Sequence, residues 1–206
     1  MRRLAFVTAL PLIVAAVPLR AQAGIEITPT VGYRFGGTVT ADEGLFSAAS
    51  SVAWGGTLGI RVKPDGLVEV VYSRQSTSIA FDPDTSARNV TVGDATIEYL
   101  QIGGALEFGH DPNTRPYFAL TIGGTRFAPK APGLGEDWRF SFGGALGVKK
   151  YLSQHLGLRA QARLWMSTLS SDSQFWCTLP GGCVIHASNG VFFTQGELSG
   201  GLIFIF

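Results

Sequence analysis

From Gly24 onward, apolar and polar residues alternate with a period of two, segment after segment. Ile25, Ile27, Pro29, Val31, Tyr33 and Phe35 interleave with Glu26, Thr28, Thr30, Gly32 and Arg34. In an extended chain successive side chains point to opposite faces, so each such run is a strand with one apolar and one polar face. The same pattern recurs in segments 54–63, 68–73, 100–108, 117–123, 139–149, 156–164 and 192–206. Eight strands are predicted, and no stretch beyond Gly24 is apolar for the length a spanning helix needs.

The connections alternate as regularly as the faces. Lys63-Pro64-Asp65-Gly66, His110-Asp111-Pro112-Asn113-Thr114 and Ser153-Gln154-His155 are short, with turn residues that preset φ or tolerate a positive one. Between them fall longer links: Gly37 to Ser51, Thr77 to Val92, Ala128 to Asp137 and Leu169 to Gly190. A transmembrane β-barrel has an even strand number, short turns at one end and longer loops at the other.

Alternation alone does not say which face is inside. A soluble, lipocalin-like barrel would turn the apolar face inward, whereas a membrane barrel turns it to lipid and lines its interior with the polar set. Three features point to the membrane. Aromatics gather near predicted strand ends, at Phe35, Trp54, Phe108, Phe118, Trp138, Tyr151, Trp165, Phe192 and Phe206, as interfacial girdles require. The polar face carries much Gly, Ala and Thr and few charges for a surface in water. The chain ends on an alternating strand, and lipid cannot satisfy an open sheet edge, so the strands must close.

The expected lumen charges are then Glu26, Arg61, Glu69, Glu107, Lys149, Arg159, Arg163 and Glu197, with Arg34 and Gln161 on the same face. Eight strands leave an interior just wide enough for side chains, which favours a packed polar plug over a pore. Buried charges need partners, and the glutamates are expected to neutralise Arg159 and Arg163.

The residues before Gly24 read as a cleaved secretory signal peptide, residues 1–23. Arg2 and Arg3 precede an apolar run, and Ala21-Gln22-Ala23 is a small-x-small cleavage site. Residues 24–206 then form the barrel domain. Its removal takes three arginines and leaves 13 basic against 15 acidic side chains. That balance gives no basic footprint for nucleic acid. Charged residues are only 15% of the chain and glycines number 27, which excludes a disordered or coiled-coil protein. No cofactor or metal motif is present, and Asp42-Glu43 and Asp82-Pro83-Asp84 read as solvated loop acids. Cys177 and Cys183 fall in one predicted outer loop, around Pro180-Gly181-Gly182, and are expected to form a disulfide in an oxidising compartment.

The leader, the opening Glu26-Ile27-Thr28-Pro29-Thr30-Val31-Gly32-Tyr33-Arg34-Phe35-Gly36-Gly37 and the terminal Gly200-Gly201-Leu202-Ile203-Phe204-Ile205-Phe206 resemble the small eight-stranded outer-membrane β-barrel family of the OmpX, OmpW and OmpA-barrel type. The resemblance implies an all-β, antiparallel, up-and-down barrel in the Gram-negative outer membrane, surrounded by its lipid and expected as a monomer. It implies assembly by the outer-membrane insertion machinery, which reads a terminal aromatic such as Phe206. The family spans inert anchors and enzymes, so two functions stay open. One is a non-enzymatic barrel whose four loops serve adhesion, recognition or envelope integrity. The other is a hydrolase: His186-Ala187-Ser188-Asn189 resembles the His-x-Ser-Asn motif of outer-membrane lipid A deacylases. That resemblance implies His186 as base, Ser188 as nucleophile and Glu197 as the acid orienting the base. The motif here follows the cysteine loop, at the mouth of the last strand, instead of lying on the penultimate one.

Overall fold

The structure is a computed structural model that describes residues 24–41, 44–83, 90–130, 135–169 and 191–206. The predicted leader, Cys177, Cys183, His186 and Ser188 lie outside the described residues. Ten strands are present: β1 (Ile25–Gly36), β2 (Thr38–Ala41), β3 (Gly44–Ala48), β4 (Ser51–Lys63), β5 (Gly66–Pro83), β6 (Val90–Glu107), β7 (Thr114–Pro129), β8 (Asp137–Tyr151), β9 (Leu156–Leu169) and β10 (Val191–Ile205).

Eight of them form a ring. Each of β4 to β9 pairs antiparallel with the next, and β1 lies between β4 and β10. Closure is made along the full length of β1, from Glu26↔Ile205 through Thr30↔Gly201 to Arg34↔Glu197. The start of β1 is tied to the residue after β10, since Ile25 N donates to Phe206 O at 3.2 Å and Phe206 N to Ile25 O at 3.0 Å. No edge strand remains in the ring, which is the condition for a sheet in lipid.

The two faces of the sheet follow the alternation. Leu120, Ile122 and Leu146 are 58%, 57% and 64% exposed, while their neighbours Ala119, Thr121 and Ala145 are at most 2% exposed. The apolar set therefore points outward all round the ring and the polar set inward. Two outward glycines, Gly196 and Gly124, are covered by aromatic rings from adjacent strands. A Cβ on Gly196 would lie 2.5 Å from the Phe35 ring, and one on Gly124 would lie 3.3 Å from that of Trp138. On β5 to β7 the apolar band ends at an outward polar row. Glu98 accepts from Tyr72 Oη at 2.9 Å and Arg74 Nη1 at 3.0 Å, and it also pairs with Arg126. Arg126 reaches on to Glu136, in the connection before β8, and holds that carboxyl below its usual range.

Two of the predicted links are themselves folded. The expected connection from Gly37 to Ser51 contains β2 and β3, which pair with each other, and β3 continues along β5. The chain bends between β1 and β2 at Gly36 and Gly37, whose φ values of 78° and 99° suit glycine. The expected connection from Thr77 to Val92 is largely strand, because β5 and β6 run on beyond the band. Gln75, Ser76, Thr77 and Ser78 are polar on both faces, so no apolar alternation announces a ladder that Ser76↔Thr96 and Thr77↔Ala95 continue.

The outward face yields a direct test. Arginine at a lipid-facing midplane site costs about 2–4 kcal/mol, falling towards the interfaces. Leu120→Arg is expected to cut the heat-modifiable folded fraction on a gel strongly. Asn113→Arg, which adds the same charge in an exposed turn, should leave it near wild type.

Candidate functional site in the barrel interior

Because β-strands alternate, every second residue of eight strands converges on one closed interior, and its chemistry is arranged in layers along the axis. At the end carrying the short turns, Glu26, Glu107, Arg61, Lys149 and Tyr151 meet. Lys149 Nζ lies 2.7 Å from Glu26 and 3.0 Å from Glu107. Arg61 lies 2.5 Å from Glu26 and 3.1 Å from Glu107. Tyr151 Oη donates towards the same two carboxylates at 3.1 and 2.9 Å. Glu26, Arg61, Glu107 and Tyr151, with Arg115, line a recess of about 330 Å³ that opens at this end. Next inward, Arg159 makes a two-pronged bond to Glu69, at 2.8 and 3.1 Å. Its Nε donates to Tyr117 Oη at 2.7 Å, and Tyr117 donates to Gln161 Oε1 at 2.6 Å. Gly147 makes room for this ring, since a Cβ there would lie 2.6 Å from Tyr117 Cε1.

A second node lies nearer the other end. Glu197 Oε2 accepts from Arg34 Nε at 2.9 Å, Arg34 Nη2 at 2.7 Å and Trp165 Nε1 at 3.0 Å. Arg34 also donates to Ser73 and sits 4.8 Å from the Tyr99 ring centre. Tyr99 in turn stacks on Trp165 at 4.4 Å. Gln75 and Gln195 bond to each other at 3.0 Å, and Gln195 accepts from Tyr99 Oη at 3.0 Å. Above this layer the fully buried rings of Phe127 and Phe193 meet edge-on at 5.5 Å.

Glu26, Glu69, Glu107, Lys149, Arg159, Arg163 and Glu197 are all buried inside the ring, and Arg61 is at its mouth. The neutralisation expected of Arg163 is not what the structure has. Glu69 serves Arg159 and Lys149, and Glu197 serves Arg34. Among the described residues no carboxylate oxygen stands within ion-pair distance of Arg163, which donates only to Thr121 Oγ1 at 3.2 Å and rests 4.9 Å from the Trp165 ring. Two aromatics assigned to the girdles are also interior. Trp165 shares the parity of Arg163 and is fully buried, and Tyr151 shares that of Lys149. Position near a strand end suggested a girdle, but parity decides the face. Of the hydrolase residues only Glu197 is described, and its Oε2 is taken by Arg34 and Trp165. The residues that sequence reasoning passed over are Tyr99, Tyr117 and Gln195. Their inward parity was readable, but their partners on other strands were not.

A closed eight-stranded antiparallel ring, apolar outside and charged inside, defines a small transmembrane β-barrel of the outer-membrane type. No protein-family profile matches the chain, and no curated protein matches it in sequence. Solved structures share its fold. The crystal structure of Neisserial surface protein A is 15% identical with a TM-score of 0.59, over 88% of this chain and 97% of that one. The outer membrane protein OprG from Pseudomonas aeruginosa is 11% identical with a TM-score of 0.60, over 89% of this chain and 96% of that one. The N-terminal β-barrel domain of Pseudomonas aeruginosa OprF is 12% identical with a TM-score of 0.50, over 90% and 98%.

The pairing pattern separates two arginines that look alike in sequence. Arg159→Leu leaves Glu69 with only the 3.7 Å contact to Lys149. Breaking a buried pair costs about 3–5 kcal/mol. Arg163→Leu removes a cation with no carboxylate partner among the described residues and should change stability far less, or raise it. Unfolding midpoints in detergent micelles measure both, and equal losses for the two variants would contradict this assignment.

Proposed function

We propose that this protein is an integral outer-membrane barrel without a catalytic role, anchored by its apolar band. Its long loops form the surface that contacts the surroundings, for adhesion, recognition or envelope integrity. The observation that carries this reading is the filled interior. Trp165, Tyr99, Tyr117, Phe127 and Phe193 occupy it together with the two charge clusters. Such packing supports a polar plug over a solute path. Export by the leader ending at Ala23, insertion read from Phe206, and residence as a monomer among outer-membrane lipids complete the proposal. The engagement of Glu197 with Arg34 and Trp165 weighs against its serving His186 in a lipid A deacylase.

The test uses a Leu120→Cys variant with Cys177 and Cys183 replaced by Ser. In outer-membrane preparations the new thiol should react with a lipid-phase probe and resist a water-soluble maleimide. Efficient aqueous labelling of folded protein would refute the lipid-facing register, and protection from both reagents would favour a soluble barrel with that face as its core. Lipid A mass spectra from cells with and without the protein address the hydrolase reading. An acyl chain lost only when the protein is present, and retained with Ser188→Ala, would overturn the non-catalytic proposal.

A further inference from the structure

Arg163 is 3% exposed and lies in the middle of the interior, and two of its three nitrogens, Nε and Nη2, have no hydrogen-bond partner. These two carry the parallel N–H bonds along one edge of the guanidinium, the edge that grips an anion at two points. Nη1, the remaining nitrogen, is the one that reaches Thr121. The free edge is therefore intact and unshared.

Charge counting leads to the same place. Among the described residues, Arg34, Lys149, Arg159 and Arg163, with Arg61 and Arg115 at the mouth, outnumber Glu26, Glu69, Glu107 and Glu197. Every one of those carboxylates is already bridged to a cation other than Arg163. A guanidinium does not shed its proton in a protein, and an uncompensated buried charge is costly. The residues bordering Arg163 across its two ladders are Ala145 on β8 and Glu197 on β10. Ala145 pairs on with Ala119, and Ala119 with Ala105, so the row running from Arg163 across β8, β7 and β6 carries only methyl groups.

We propose that the Nε/Nη2 edge of Arg163 is a binding site for a small monovalent anion of halide size, taken from solution. The anion supplies the missing counter-charge and becomes part of the plug. Its size is limited by the closed, side-chain-filled interior, and its charge is that which the unpaired guanidinium of Arg163 lacks.

Bromide is the probe. Crystals of the wild-type protein equilibrated with sodium bromide should show an anomalous peak within hydrogen-bond distance of Arg163 Nε and Nη2. A peak absent from that edge, a water there in its place, or a guanidinium turned onto Glu197 overturns the proposal. In micelles, the wild-type unfolding midpoint should be about 2–4 °C higher in sodium chloride than in sodium gluconate of equal concentration. In Arg163→Met the difference should vanish. No difference in the wild type, or the same difference in the variant, also overturns it. Should Arg163→Met fail to fold, the bromide crystals of the wild type decide alone.

Discussion

A backbone amide in lipid finds no water, so each N–H and C=O must be bonded within the protein. Among the described residues no helix is long and apolar enough to cross a membrane, and there that requirement is met by a sheet with no edges. The pairing of β1 with β10 meets it here, along nine register positions from Glu26↔Ile205 to Gly36↔Gln195. The other features of this barrel follow from that closure. It turns half of every strand's side chains inward, whatever their chemistry.

Closure at eight strands makes the interior narrow. Narrowness, more than any property of single residues, sets the chemistry of the lumen. Cations and carboxylates that would be solvated on a flat sheet are brought within ion-pair distance of one another. Lys149 reaches Glu26 and Glu107 from separate strands, and Arg159 grips Glu69 across the interior. Aromatic rings fill the remaining space, with Tyr117 lying over Gly147 and Tyr99 stacked on Trp165. Arg163 shows the cost of such convergence when the numbers do not match, since its neighbour Glu197 is already held by Arg34.

The strands of the membrane band could be read residue by residue, because one face of each is apolar and the other is not. Leu120 and Thr121, or Leu146 and Ala145, could be sorted to opposite faces from parity alone. Where both faces are polar the signal disappears, as at Gln75 to Ser78, and the extension of β5 and β6 went unread for that reason. The hairpin of β2 and β3 was hidden likewise, because its partner on β5 is not a neighbour in sequence. Trp165 and Tyr151 lie near strand ends yet point inward, because parity and not nearness to an end sets the face.

Period two, turn residues and the spacing of connections pointed to a closed antiparallel barrel, and the strand-end aromatics and the sparse charge of the polar face turned Glu26, Glu69, Glu107, Lys149, Arg159, Arg163 and Glu197 inward. These are local quantities, carried by residues one or two apart. Which charge meets which was decided only by the tertiary structure. Arg34 and Glu197 are brought together by closure between the first strand and the last, and Arg159 and Glu69 by the curvature of the wall. Parity says that a side chain points inward. Only the diameter and stagger of the finished ring say how far across it must reach, and so leave Glu69 for Arg159 and, among the described residues, no carboxylate for Arg163.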